Sequence, residues 1–187
     1  KGKTLNQADI HQTPMLIEVA RITRSIHELE PVSGVLKLTH FLNHYEAQLS
    51  DHRLSPFLRS GMDLFAELSP ETTALKLCHN DLNHSNFVSG NNLFILDWEY
   101  ASLNDPYFDL ATVIGYHQLS DSKIEEFINH YSQNSESIDI KKLDQWRQLT
   151  DYLCIFWLMM LEKYATMSGK EKAWMIDLER RLSKKKG

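Results

Sequence analysis

Apolar residues recur at near-helical spacing from Gln7 to Leu29, where Ile10, Pro14, Leu16, Ile17, Ala20, Ile22, Ile26 and Leu29 fall along one stripe. This pattern predicts a single amphipathic helix, stopped by Glu30-Pro31-Val32-Ser33-Gly34. Two more helices are predicted over Val35 to Leu49 and Leu54 to Leu68, with a Ser50-Asp51 turn region and a Ser55-Pro56 start signal between them. Ser69-Pro70-Glu71 closes that part. The texture then changes. Ala74 to Cys78, Asn86 to Val88 and Leu93 to Leu96 are short apolar runs, and Ser89-Gly90-Asn91-Asn92 suits a hairpin turn between the last two. Helical spacing returns over Asp105 to Gln118, Ser122 to Ser132, Ile140 to Leu149, Thr150 to Met167 and Glu171 to Leu182. The predicted order is helices, a small β insert, then helices again.

Composition narrows the function classes. With 187 residues the chain has enough length to bury a core, and 42% hydrophobic and 24% charged residues are ordinary for a soluble globular protein. A net charge of -5 argues against a nucleic-acid partner, which needs clustered Lys and Arg. The one dense basic run, Lys184-Lys185-Lys186, reads as a solvated tail. No apolar stretch has the length of a membrane span and no secretory signal opens the chain. Cys78 and Cys154 sit far apart in apolar surroundings and read as two buried thiols of a cytoplasmic protein.

Chemistry gathers in the β insert. His79-Asn80-Asp81-Leu82 followed by Asn86 matches the kinase catalytic-loop pattern His-x-Asp-Leu-x-x-x-Asn, and Asp97 ends the apolar run that follows. Phosphoryl transfer asks a protein mainly to position an acceptor hydroxyl and to neutralise phosphate charge. Asp81 is placed to take the hydroxyl proton. Asn86 and Asp97 offer the oxygen ligands that magnesium prefers. His79 is expected to orient the loop by hydrogen bonds without touching substrate. Two other readings stand beside this one. Asp81, Asn86 and Asp97 are also turn formers, and His79, His84 and Asp81 are a possible transition-metal set. Asp105-Pro106 predicts a helix start, with Asp105 as N-cap and Asp109 in the first turn.

The motif His79-Asn80-Asp81-Leu82...Asn86, with Leu96-Asp97-Trp98-Glu99-Tyr100-Ala101 and Asn104 to Ala111, resembles the choline/ethanolamine kinase and aminoglycoside phosphotransferase superfamily. The Asp-Trp-Glu-Tyr wording is similar to its bacterial choline kinase and thiamine kinase branch. The resemblance implies an α+β, protein-kinase-like fold, here a mostly helical C-terminal lobe over residues 1–187 with a small β insert carrying the catalytic loop. It implies ATP as phosphoryl donor, magnesium as cofactor, and a small alcohol as acceptor, choline first, then thiamine or an aminoglycoside. By resemblance Asp81 is the base, Asn86 and Asp97 hold the magnesium and nucleotide, and Asp109 braces the loop. Lys1-Gly2-Lys3-Thr4-Leu5 resembles the stretch just after the hinge of relatives. No strand-rich ATP-clamping lobe with its Lys-Glu pair is found, so exposed apolar area is expected where such a lobe would sit. A catalytically incomplete, kinase-derived binding module is the reading from a different class.

Choline and thiamine both carry a quaternary nitrogen, which aromatic faces attract. Tyr152, Phe156, Trp157 and Tyr164 fall where choline-kinase relatives place their cation pocket, and Trp157 is the chosen substrate-binding candidate. Aromatics at helical spacing also make cores. Trp146 and Trp174 read as packing.

Overall fold

The computed structural model describes residues 2–30, 34–68, 75–133 and 137–184. The expected stop at Pro31 to Ser33, the segment Ser69-Pro70-Glu71, Ala74, Lys1 and the basic Lys185-Lys186 lie outside the described residues. In chain order the elements are β1 (Lys3–Thr4), α1 (Gln7–Ile10), α2 (Thr13–His27), α3 (Leu38–Leu49), α4 (Pro56–Leu68), β2 (Lys76–Cys78), β3 (Phe87–Ser89), β4 (Leu93–Ile95), β5 (Ser102–Asn104), α5 (Pro106–His117), α6 (Asp121–Ser132), α7 (Ile140–Tyr164) and α8 (Gly169–Lys184). A single 3-10 turn, His84–Asn86, precedes β3. Among the described residues no helix is long and apolar enough to cross a membrane.

The chain divides into two compact units, residues 1–36 with 70–147, and residues 37–69 with 148–187. In the first unit the apolar faces of α2, α5 and α6 enclose one core, with Leu16, Val19, Leu110, Val113 and Phe127 among its members. Leu82 and Phe87 belong to the same core and are fully buried. They seat the polar loop against the core: one anchor precedes residues 83–86 and one follows. Each such burial stabilises by about 1.5–3 kcal/mol. Two small sheets complete the unit. β1, β3 and β4 form an antiparallel sheet in that order, with Thr4 opposite Val88 and Phe87 opposite Ile95. A Cβ on Gly2 would collide with the Val88 side chain, so the glycine lets β1 lie flat on β3. The second sheet pairs β2 with β5, Cys78 opposite Ser102.

The second unit contains α3, α4, α8 and α7 from residue 148 onward. Its core holds Tyr152 stacked on Phe156, ring centroids 6.1 Å apart, with Phe57 tilted against Tyr152. Gly61 on α4 makes room for them, since a Cβ there would stand 2.7 Å from Phe156 Cζ. Met175, Leu178 and Leu182 bury the matching face of α8.

Several predicted boundaries move. The helix expected from Gln7 to Leu29 is two helices. Asn6 and Asp9 form a reciprocal capping box on α1, and Pro14 falls in the first turn of α2, where its missing N–H costs nothing. The helices expected at Ile140 to Leu149 and Thr150 to Met167 are one, because no breaker separates Leu149 from Thr150. The Ser89 to Asn92 hairpin forms as expected, and α4 starts at Pro56. β1 and β5 were not foreseen. Cys78 and Cys154 are not joined in a disulfide, and Cys154 is only half-buried. Burial, and then the fields of Asp109 and Asp105, push the Cys78 thiol well above its ordinary range.

Candidate active site

β2 ends at Cys78 and delivers the chain directly into His79-Asn80-Asp81. Asp109, fully buried in the first turn of α5, grips that entry by its main chain. Its Oδ2 accepts the His79 N–H and its Oδ1 the Asn80 N–H, both at 2.8 Å. The α5 start itself is built as predicted, with Asp105 Oδ1 capping the Tyr107 N–H at 3.0 Å and Pro106 opening the helix. Asp105 is also paired with Lys142 at 2.6 Å.

His79 is buried and shares out both ring nitrogens. Its Nδ1 accepts the Asp81 N–H (3.3 Å), which leaves Nε2–H to donate to the Leu96 carbonyl at 2.9 Å. Its ring meets Trp98 edge-on at 5.0 Å. The histidine therefore links the loop to the residue before Asp97. With both nitrogens occupied it has no lone pair for a metal, which overturns the transition-metal set of His79, His84 and Asp81.

Asp81 is half-buried, and each carboxylate oxygen accepts one amide N–H: Oδ1 from Asn83 at 3.0 Å and Oδ2 from Asn86 at 2.8 Å. Asn86 also donates to the Asp81 carbonyl at 2.9 Å. Both hydrogens of the Asn86 amide are thereby spent on Asp81, and Oδ1 is what remains to meet a cation. The Asn86 carbonyl accepts the Leu96 N–H at 2.8 Å, so the ends of the two candidate ligand segments are stitched together. Asp97 follows, exposed, in the left-handed region at φ 61. Non-glycine residues rarely adopt that conformation, and it recurs at functional sites. Asp81 and Asp97 act on one probe. Partial burial, then Glu99 and Asp81, with Asp97 contributing, push the Tyr100 phenol above its ordinary value. The donor set suits magnesium: an amide oxygen and an exposed carboxylate are hard ligands, and Asn86 can present nothing else.

Phe94, Leu96, Trp98 and Tyr100 stand exposed on alternate positions beside this loop. Trp157 in the second unit is 45% exposed, tilted against Trp174 at 6.4 Å between centroids. Tyr152 and Phe156 are core residues, and Trp146 packs edge-on against Phe108 as expected.

Sequence reasoning passed over His27 and Asn80. His27 is buried at the end of α2, its Nε2 on Asp109 Oδ2 (3.2 Å) and its Nδ1 on the Tyr131 hydroxyl (2.8 Å). A histidine on the apolar face of an amphipathic helix was the available signal. His27, Cys78 and Asp109 have potential ligand atoms within 4.8 Å of one another. Asp109 already accepts three N–H groups and both His27 nitrogens are engaged, so His27 and Asp109 form a hydrogen-bonded brace, while the Cys78 thiol donates to the Asn104 carbonyl at 3.6 Å.

A family model described as "Phosphotransferase enzyme family" matches residues 4–146. The protein LicA of Haemophilus influenzae is 29% identical over 184 residues, spanning 90% of this chain and 68% of LicA. The crystal structure of choline kinase LicA from Streptococcus pneumoniae aligns with TM-score 0.77 at 23% identity, covering 98% of this chain and 66% of that one. A structure of LicA in complex with AMP aligns at TM-score 0.78 and 22% identity, with 98% and 66% covered. The fold is thus the mostly helical, protein-kinase-like one of those enzymes.

Proposed function

Because the chain belongs to the phosphotransferase enzyme family, we propose that it carries the chemistry of ATP- and magnesium-dependent phosphoryl transfer to the hydroxyl of a small alcohol, choline first. We assign it to the C-terminal lobe of such a kinase, working in the cytoplasm. One observation carries the reading. Asp81 is held from both sides by Asn83 and Asn86, and the same Asn86 keeps its remaining oxygen for a cation.

In this reading the acceptor hydroxyl lies against Asp81. As its oxygen bonds to the γ-phosphorus, the bond from that phosphorus to the β-bridging oxygen breaks and its electron pair leaves with ADP. The hydroxyl proton passes to the Asp81 carboxylate. Asn83 and Asn86 fix the direction in which that carboxylate points, and His79 and Asp109 fix the loop that carries it. Asn86 and Asp97 would hold the magnesium, which when bound offsets phosphate charge. The half-exposed Trp157 offers an aromatic face to a quaternary ammonium group, with Trp174 beside it. The relatives named as choline kinases support choline over thiamine or an aminoglycoside.

The full-length gene product, given ATP and magnesium, should release ADP with choline and more slowly with thiamine or an aminoglycoside. Asp81→Ala should lower that rate by about a thousandfold. A variant keeping more than a tenth of the rate would remove Asp81 as the base. No ADP release with any of the three acceptors would favour the binding-module reading.

A further inference from the structure

Asn80 lies between the loop-orienting histidine and the candidate base, and its own side chain points to a different part of the site. Its backbone is left-handed at φ 66, a conformation that Asn tolerates better than most residues. Its amide is used on both sides. Nδ2 donates to the Tyr100 carbonyl at 2.8 Å and to Ser102 Oγ at 3.0 Å, with a longer contact of 3.3 Å to the Cys78 carbonyl. Oδ1 accepts from Asn104 Nδ2 at 2.9 Å. Asn104 is buried, and its own Oδ1 is taken by the Asp105 N–H at 2.8 Å. Ser102 Oγ in turn donates to the Tyr100 carbonyl at 2.9 Å.

The β2–β5 ladder ends at the Cys78–Ser102 pair, so Asn80 extends its grip beyond the last rung, to Tyr100. His79 holds the Leu96 carbonyl on the other side of Asp97. Neighbouring residues of one loop thus seize the two ends of the segment that carries Asp97. The geometry points to Asn80 as a positioning residue, which fixes the segment 97–100 relative to Asp81. This inference rests on the phosphotransfer reading for its catalytic consequence, though not for the clamp itself.

Two variants of the full-length gene product separate the possibilities. Asn80→Gly keeps the left-handed backbone without strain and removes only the amide. Asn80→Asp keeps an acceptor for Asn104 but turns an oxygen toward the Tyr100 carbonyl. In both, amide hydrogen exchange of residues 98–102 should rise at least about tenfold while α2 and α5 stay protected. The kcat should fall about ten- to a hundredfold, as for a displaced catalytic group, with the acceptor KM within about threefold. Unchanged exchange and unchanged kcat would overturn the inference. So would protection lost equally in α2 and α5, since Asn80 would then serve the fold alone. If the natural protein releases no ADP with any of the three acceptors the phosphotransfer reading fails, and the exchange result still decides the clamp.

Discussion

His117 closes α5 as a fully buried histidine whose ring donates from Nδ1 to the Val113 carbonyl at 2.7 Å. Its Nε2 is buried and finds no hydrogen-bond partner among the described residues. Burial lowers its pKa from 6.5 to about 4, and the nearby His84 and His11 push the same way. The unfolded chain takes up this proton near the ordinary 6.5, whereas the folded chain resists it until about 4. Stability from this residue is therefore complete above about pH 6.5, drains away as pH falls toward 4, and changes no further below. At about 1.4 kcal/mol per pH unit the full loss is about 3 kcal/mol, of which about 2 kcal/mol falls between pH 7 and pH 5. Replacing the ring by phenylalanine removes the titration and the unpaired nitrogen together, and the Val113 carbonyl keeps the main-chain donor that an α-helix supplies. Urea denaturation of the natural protein and His117→Phe at pH 7 and pH 5 measures the difference. The variant should lose about 2 kcal/mol less than the natural protein over that interval. Parallel losses in the two proteins would refute the assignment of His117 as a buried neutral ring.

Asp109→Asn sets an N–H where Asp109 now accepts a main-chain N–H of the loop, and should cost about 3 kcal/mol in urea denaturation together with a large drop in ADP release. A variant of unchanged stability would show that the brace contributes little. Gly61→Ala should destabilise by about 1–3 kcal/mol in thermal denaturation, because the new methyl falls 2.7 Å from Phe156 Cζ and 3.1 Å from Tyr152 Cβ. A higher melting temperature would mean that those rings have room to yield.

What the sequence made legible was whatever depends on near neighbours. The hairpin at Ser89 to Asn92 and the start of α5 at Asp105-Pro106 follow from local turn and cap chemistry. The spacing of His79, Asp81 and Asn86 likewise marked residues that the structure joins by hydrogen bonds. The features that were missed depend on distant partners. β1 has two residues and exists because Val88 and Ser89 pair with it; β5 exists because Lys76 to Cys78 do. His27 earns its place from Asp109, 82 residues along, and Asn80 from Tyr100, 20 along. The break between α1 and α2 escaped because the apolar stripe runs straight through it, and Pro14 was counted as one more apolar residue.

Asp109 takes hold of peptide hydrogens at positions 79 and 80. Every amino acid except proline supplies such a hydrogen, so the latch is indifferent to which side chains occupy those positions. Holding has been separated from working. The same two residues are left at liberty to spend their side chains elsewhere, one reaching the near edge of the Asp97 segment and its neighbour the far edge.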